Sequence, residues 1–180
     1  MGTFEQFEID TLANQGALEL FDSLEPVDID FMIGSWQGEG YPTNHQMDGV
    51  LEAYHWHGKH FESSEDVHPL VFSNLRGRFT RINPILLAPS FALMDRLPTP
   101  RSKIVGKIFQ LIMPLFSTSK SRARLRMTEY RGKISATMIY DQLPINDVFR
   151  KLDDNTVMGI MDLKGMKDPF FFKLKREDTK

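Results

Sequence analysis

Glycine and tryptophan alternate in one short stretch, where residues 34–40 read G-S-W-Q-G-E-G. Alternate residues of an extended strand share a face, so three glycines and Trp36 point the same way. Glycine packs nothing and weakens a strand interior, unless another group must approach closely or the strand must bend sharply. Such bends occur where a sheet closes into a barrel. We therefore expect a strand at a closure, with Trp36 filling the space beside it.

Short alternating segments separated by turn signals follow this motif and occupy the last third of the chain. This pattern is typical of a sandwich or barrel. About eight strands can close a small barrel that holds one ligand. The predicted strands are 31–40, 57–63, 69–82, 121–130, 133–141, 145–152, 156–163 and 170–177.

Two segments depart from the strand pattern. Residues 11–24 carry apolar side chains at a roughly helical period and predict an N-terminal helix. Residues 84–118 are apolar and interrupted by prolines, which predicts a helical insertion that covers a site. We expect one structural domain over 1–180, in which 20–80 and 119–177 form two halves of one barrel.

Composition narrows the function classes. The 180 residues contain no cysteine, which excludes disulfides, thiolate nucleophiles and cysteine metal sites and favours a cytoplasmic setting. The net charge is −2, although 21 of the 22 basic residues lie in 71–180. The mildly acidic overall balance predicts no nucleic-acid partner. The basic, apolar stretch 101–126 leaves peripheral membrane contact open as an alternative.

Polar side chains cluster in the segment YDQLPINDVFR. A turn at Leu143-Pro144 would bring Tyr140, Asp141, Asp147 and Arg150 together. Buried charges need partners, so a structural aspartate–arginine bridge is one interpretation. The other makes Asp141 a general base whose pKa is raised by an apolar pocket, with Tyr140 or Lys59 as the proton donor.

Three histidines, at 55, 57 and 60, suggest zinc. No carboxylate at a suitable spacing and no H-E-x-x-H helix accompany them, so we predict no metal site.

The sequence also resembles a known family. IGSWQGEG, followed by WHGKHFES and VHPLVF, resembles the GXWXG protein family. The segment from Arg124 to Gly165 resembles its usual C-terminal partner, domain of unknown function 4334. More distantly, the motif is similar to that of calycins such as nitrobindins and fatty-acid-binding proteins. That resemblance implies an antiparallel barrel with an interior pocket. Nitrobindins bind haem through a late histidine, whereas here no histidine follows His68 and only His57 or His60 could substitute.

The sequence therefore predicts a mainly β, calycin-like barrel that binds a small, largely apolar metabolite, fatty-acid-like or terpenoid-like. Its 14 phenylalanines and 10 methionines suit an adaptable apolar cavity. One alternative is an isomerase, cyclase or hydratase that uses Asp141, Tyr140, His57 and Lys59. A second is a haem protein; otherwise no cofactor is expected, and a homodimer is left open. The predicted ligand contacts are Trp36, Trp56, His57, Lys59, Tyr140, Asp141, Phe149 and Met161.

Overall fold

The computed structural model describes residues 2–74, 77–87 and 103–177. Four α-helices lie in these ranges: α1 Gly2–Ser23, α2 Ile29–Met32, α3 Val50–Ala53 and α4 Lys103–Ile112. Short 3-10 turns lie at Pro84–Leu87 and Met113–Phe116. The strands are β1 Glu25–Pro26, β2 Gly34–Gly40, β3 Trp56–Phe61, β4 Val67–Ser73, β5 Phe79–Arg81, β6 Ala123–Tyr130, β7 Lys133–Tyr140, β8 Ile145–Asp153, β9 Thr156–Leu163 and β10 Phe170–Arg176. Within the described part of the chain, no helix has the length and apolar character to cross a membrane.

Eight strands form a closed antiparallel ring in the order β2-β3-β4-β6-β7-β8-β9-β10. Pairing of β10 with β2 returns the ring to its first strand. The joint between β4 and β6 is the weakest, since one register pair, Val67 with Ala123, connects them. Strands β1 and β5 pair outside the ring, on β8 and β4. The predicted mainly β fold, with about eight antiparallel strands in a barrel-like ring, is confirmed.

The ring has an apolar inside and a partly covered outside. Its interior core includes Trp36, Phe61, Met138 and Phe149. On the outside, α1 packs against β8, β9 and β10 through a second cluster that includes Phe21. Because side chains of a strand alternate between faces, β8 contributes to both clusters.

Several predicted boundaries differ from the observed ones. The predicted strand 31–40 begins only at Gly34, because Asp28 caps α2 by accepting a hydrogen bond from the Phe31 backbone N–H at 2.7 Å. The predicted strand 69–82 is two strands, β4 and β5, that pair antiparallel. Of the predicted insertion 84–118, the described residues form helical turns at both ends, and 88–102 lie outside the described residues.

The glycine–tryptophan motif makes room for other groups. A Cβ on Gly38 would lie 2.1 Å from the nearest atom of the Trp56 ring. Opposite, Gly58 has a φ of 152°, and a Cβ there would collide with the Trp36 carbonyl oxygen at 1.9 Å. Trp36 itself is fully buried and donates from Nε1 to the Met32 carbonyl oxygen at 2.8 Å. The close approach expected at the motif thus occurs, and at Gly38 the approaching group is an aromatic ring.

Candidate functional site

One buried ion pair lies in the apolar interior of the ring. Lys59 Nζ is 2.7 Å from Asp147 Oδ2, and the two side chains are 3% and 2% exposed. The β3 register shifts around Gly58, so both Trp56 and Lys59 face inward. In β8, alternation places Asp147 on the same face as the core residues Ile145 and Phe149.

Aromatic rings surround the ammonium group. Lys59 Nζ lies 5.1 Å from the Phe172 ring centroid, 5.6 Å from that of Trp56 and 5.7 Å from that of Tyr140. It also donates to the Pro69 carbonyl oxygen at 3.2 Å. Rings at these distances attract the cation through their quadrupoles, and the effect is greater where water is excluded. We call Lys59, Asp147, Tyr140 and Trp56 the interior cluster.

Two polar atoms of the interior cluster are unsatisfied. Among the described residues, neither Asp147 Oδ1 nor Trp56 Nε1 has a hydrogen-bond partner, although both atoms are buried. Leaving a buried donor or acceptor unpaired costs about 1–3 kcal/mol each. Most buried polar groups in folded proteins have a partner, so each of these two orphans needs an explanation.

Burial changes the proton affinity of the cluster. Desolvation raises the pKa of Asp147, and the nearby Lys59 ammonium opposes this rise through its charge and hydrogen bond. The pKa of Tyr140 is raised well above its ordinary value, mainly by desolvation and also by the Asp147 charge. Both groups therefore favour their neutral forms more than they would in water.

Some core residues near the cluster keep a small accessible surface. Trp56 and Tyr140 keep 8% of their surface accessible and Met161 keeps 7%, whereas Trp36 and Phe149 keep none. Met161 is the direct cross-strand partner of Asp147. The accessible surface of these core residues therefore includes a direct neighbour of Asp147.

Helix α4 covers the end of the ring next to Trp56. Phe109 packs on Phe72, the cross-strand partner of Trp56, with ring centroids 5.2 Å apart. Phe109 also meets the edge of Tyr54 at 5.0 Å, just after α3. Gln110 Nε2 donates to the Tyr54 carbonyl oxygen at 3.0 Å. A helical element of the predicted insertion thus adjoins the interior cluster.

Comparison with known proteins finds two family models. Residues 19–77 match the GXWXG protein model and residues 121–176 match domain of unknown function 4334. A crystal structure described as a protein from Thermomonospora curvata is 32% identical in sequence to this chain. The match covers 91% of this chain and 87% of that protein, with a TM-score of 0.64. The chain belongs to the GXWXG family. No curated protein matches this sequence.

The two halves of this GXWXG protein each supply one charge of the ion pair. Lys59 lies in the GXWXG part and Asp147 in the domain of unknown function 4334. The cluster therefore exists only where strands of both halves join in one ring.

The structure brings together six of the eight predicted ligand contacts on the interior side. These are Trp36, Trp56, Lys59, Tyr140, Phe149 and Met161. Asp141 is not among them: it is 37% exposed and its Oδ1 lies 3.9 Å from Arg124 Nη1. The apolar pocket expected around that carboxyl surrounds Asp147 instead, because Asp141 lies in the turn after β7.

The expected aspartate–arginine bridge is also wrong for these residues. Arg150 lies on the outer side under α1, with its guanidinium 5.1 Å from the Phe21 ring centroid. Its Nη2 donates to the carbonyl oxygens of Tyr130 at 3.0 Å and Lys133 at 3.2 Å. Alternation along β8 explains why Asp147 and Arg150 do not meet, because residues three positions apart in a strand face opposite sides of the sheet.

His57, the other predicted contact, lines an outer groove of about 970 Å³ whose other lining residues include Ser35, Lys59, His60 and Arg81. His57 Nε2 lies 3.0 Å from Glu177 Oε1, and Ser35 Oγ lies 2.8 Å from His60 Nδ1. Burial lowers the pKa of His60, and the Arg81 charge adds to this. Among the described residues, no three potential metal ligands lie close enough to hold an ion. His57 and Glu177, and Ser35 and His60, thus pair with each other in this groove.

Asp147 is the functional candidate that the sequence analysis did not select. A signal was present, because Asp147 alternates with the apolar residues Ile145 and Phe149. A carboxylate on the apolar face of a strand must be paired. The partner, Lys59, is 88 residues away and could not be identified from spacing.

Proposed function

We propose that this protein binds a small, largely apolar metabolite inside the ring, with a polar group of the ligand at the interior cluster. The observation that supports this most is the pair of buried orphan atoms, Asp147 Oδ1 and Trp56 Nε1. Ligand sites combine apolar walls with a few placed polar groups, and the aromatic shell around Lys59 has this composition.

Extraction of the purified protein tests the proposal. Mass spectrometry of protein purified under native conditions and then denatured should find a co-purified small organic molecule. Tryptophan emission provides the matching titration, because the chain has two tryptophans. In Trp36→Phe the remaining Trp56 reports on the interior cluster, whereas in Trp56→Phe the fully buried Trp36 should respond weakly.

A matched pair of substitutions separates interior binding from surface adsorption. Met161→Phe enlarges a side chain next to Asp147, while Met127→Phe makes the same change at a residue that is 43% exposed. Filling the interior should abolish binding, and the exposed substitution should leave it intact. Equal binding by both variants, or no bound or titratable ligand in the parent protein, would contradict the proposal.

The raised pKa of the Asp147 carboxyl supports a second candidate function, acid–base catalysis on the same ligand. Carboxyls in apolar sites with a specific charge partner are common proton-transfer groups. Asp147 would take a proton from one ligand carbon and Lys59 would return one to another. The net isomerisation needs no co-reactant.

Incubation with the extracted ligand, followed by mass spectrometry and chromatography, tests this activity. Asp147→Asn should abolish isomer formation, and the exposed Asp141→Asn should not affect it. Turnover that survives in Asp147→Asn would remove this residue from the mechanism.

We further propose that the protein binds the surface of anionic membranes through α4. On α4, Ile108 is 54% exposed and Leu111 81% exposed, and in the 3-10 turn that follows, Leu115 is 81% exposed. The exposed Lys107 adds positive charge on the same helix. Basic helices with an exposed apolar face bind the interface of anionic bilayers.

Cytoplasmic location, the absence of a cofactor and homodimer formation stay predictions.

A further inference from the structure

The two orphan atoms of the interior cluster differ in hydrogen-bonding type. Trp56 Nε1 carries a proton and can only donate, so it lacks an acceptor. Asp147 Oδ1, as a carboxylate oxygen, accepts and lacks a donor. A group that satisfies both must offer an acceptor and a donor.

The two side chains that carry the orphan atoms both lie beside Lys59 Nζ. Asp147 Oδ2 is 2.7 Å from Lys59 Nζ, and the Trp56 ring centroid is 5.6 Å from the same nitrogen. Both orphan atoms therefore belong to side chains that flank the same ammonium group. The buried Arg150 lies on the outer side of the ring, with its guanidinium 5.1 Å from the Phe21 ring centroid.

The charge of the cluster is already balanced. The ammonium of Lys59 and the carboxylate of Asp147 cancel, and both are nearly completely buried. A carboxylate ligand would add an unpaired negative charge next to Asp147, and an amine would add an unpaired positive charge next to Lys59. Burying an unpaired charge is far more costly than burying a hydroxyl that is hydrogen-bonded.

From this we infer that the ligand is a neutral alcohol: an apolar skeleton whose hydroxyl donates to Asp147 Oδ1 and accepts from Trp56 Nε1 directly or through a neighbouring oxygen. This inference rests on the proposed interior binding and specifies the chemical class of the ligand. It selects alcohols, terpenoid alcohols included, over fatty-acid anions, although both have apolar bodies of similar size.

Two panels of ligands on fixed skeletons test the inference with the unmodified protein. The linear panel is dodecanol, dodecanoate, dodecylamine and dodecane, and the branched panel is farnesol, farnesoate, farnesylamine and farnesane. Binding is measured by tryptophan emission and by native mass spectrometry at neutral pH, below the aggregation limit of each compound. The alcohol of at least one panel should bind about tenfold or more tightly than its carboxylate, amine and alkane, a difference of about 1.4 kcal/mol.

A charge-changing substitution provides the second measurement. Asp147→Asn keeps the shape but leaves Lys59 unpaired, which should reverse the preference from the alcohol to the carboxylate. Binding to the variant is measured only after circular dichroism shows that it is folded. If the variant does not fold, the two ligand panels on the unmodified protein decide the inference. Asp141→Asn, at the surface, is the matched control and should keep the alcohol preference.

The outcomes separate the inference from the proposed function. If a carboxylate, amine or alkane binds the unmodified protein as tightly as its alcohol, the hydroxyl inference is overturned and interior binding stands. If no member of either panel binds and no ligand co-purifies, the proposed function fails and the inference fails with it.

Discussion

Removing the ammonium of the interior pair should destabilise the fold severely. In Lys59→Met the Asp147 carboxylate keeps its burial but loses its hydrogen-bonded partner at 2.7 Å. Breaking a buried pair by removing one charge costs about 3–5 kcal/mol, because the other charge is left uncompensated. That is a large part of the roughly 5–15 kcal/mol by which domains of this kind are stable.

Removing both charges should recover most of that loss. The double variant Lys59→Met with Asp147→Leu leaves no buried charge, and hydrophobic replacements of buried pairs are often neutral or stabilising by about 1–4 kcal/mol. We expect the double variant to unfold at a urea concentration near that of the parent protein, and above that of Lys59→Met. The double variant should also lose the proposed ligand, because the polar group of the site is gone.

The loss in Lys59→Met should depend on pH. Burial raises the pKa of Asp147, and Lys59 opposes the rise, so the substitution raises the folded-state pKa further above the ordinary aspartate value of 3.8. A group whose pKa is raised on folding contributes stability below its unfolded pKa, and this contribution is lost as pH rises through the folded pKa. Lys59→Met should therefore be less destabilised near about pH 4 than near about pH 7.

Urea unfolding followed by circular dichroism at several pH values measures these effects. The difference between Lys59→Met and the double variant isolates Asp147, because all other titrating groups are common to both. A loss below about 1 kcal/mol in Lys59→Met, or a difference that does not vary with pH, would refute the assignment of Lys59 and Asp147 as a buried charged pair.

Two further predictions concern the motif and the covering helix. Gly38→Ala puts a methyl group against the Trp56 ring and should lower the free energy of unfolding in urea by about 1–3 kcal/mol. The control, Gly16→Ala, is at an open helical position and should raise it by up to about 1 kcal/mol. Equal effects of the two substitutions would contradict the close approach of Trp56 to Gly38. The double variant Leu111→Glu with Leu115→Glu should no longer float with anionic liposomes, because the exposed apolar surface is lost. Its free energy of unfolding should change by no more than about 0.5 kcal/mol, since both residues are exposed. Unchanged flotation would contradict the membrane contact.

Much of the barrel could be predicted because strand signals are local. Alternation and turn residues placed β6 to β10 within a few residues of their observed bounds. The same local signals failed at 31–33, where the side chain of Asp28 caps a helical turn. They also could not indicate that β4 and β6 join through one residue pair, because that joint depends on the closure of the whole ring.

The candidate site was only partly predictable. Residues on the apolar face of a strand, such as Trp56 and Tyr140, can be recognised from the alternation of apolar and polar residues. His57 and Asp141 were predicted to contact the ligand, and the structure puts His57 in the outer groove and Asp141 in an exposed turn. A bulge near Gly58 and a turn after Tyr140 change which neighbour faces inward, and neither change leaves a clear trace in residue spacing.

By itself, the sequence determined the strand content, the family and the need for close contact at the glycine–tryptophan motif. These properties depend on periodicity and on the absence of side chains at defined positions, which are local. Only the tertiary structure decided that Lys59 pairs with Asp147 and that two polar atoms beside them have no partner. The physical reason is that pairing and burial are properties of the closed ring, which brings residues 88 positions apart into one water-poor interior.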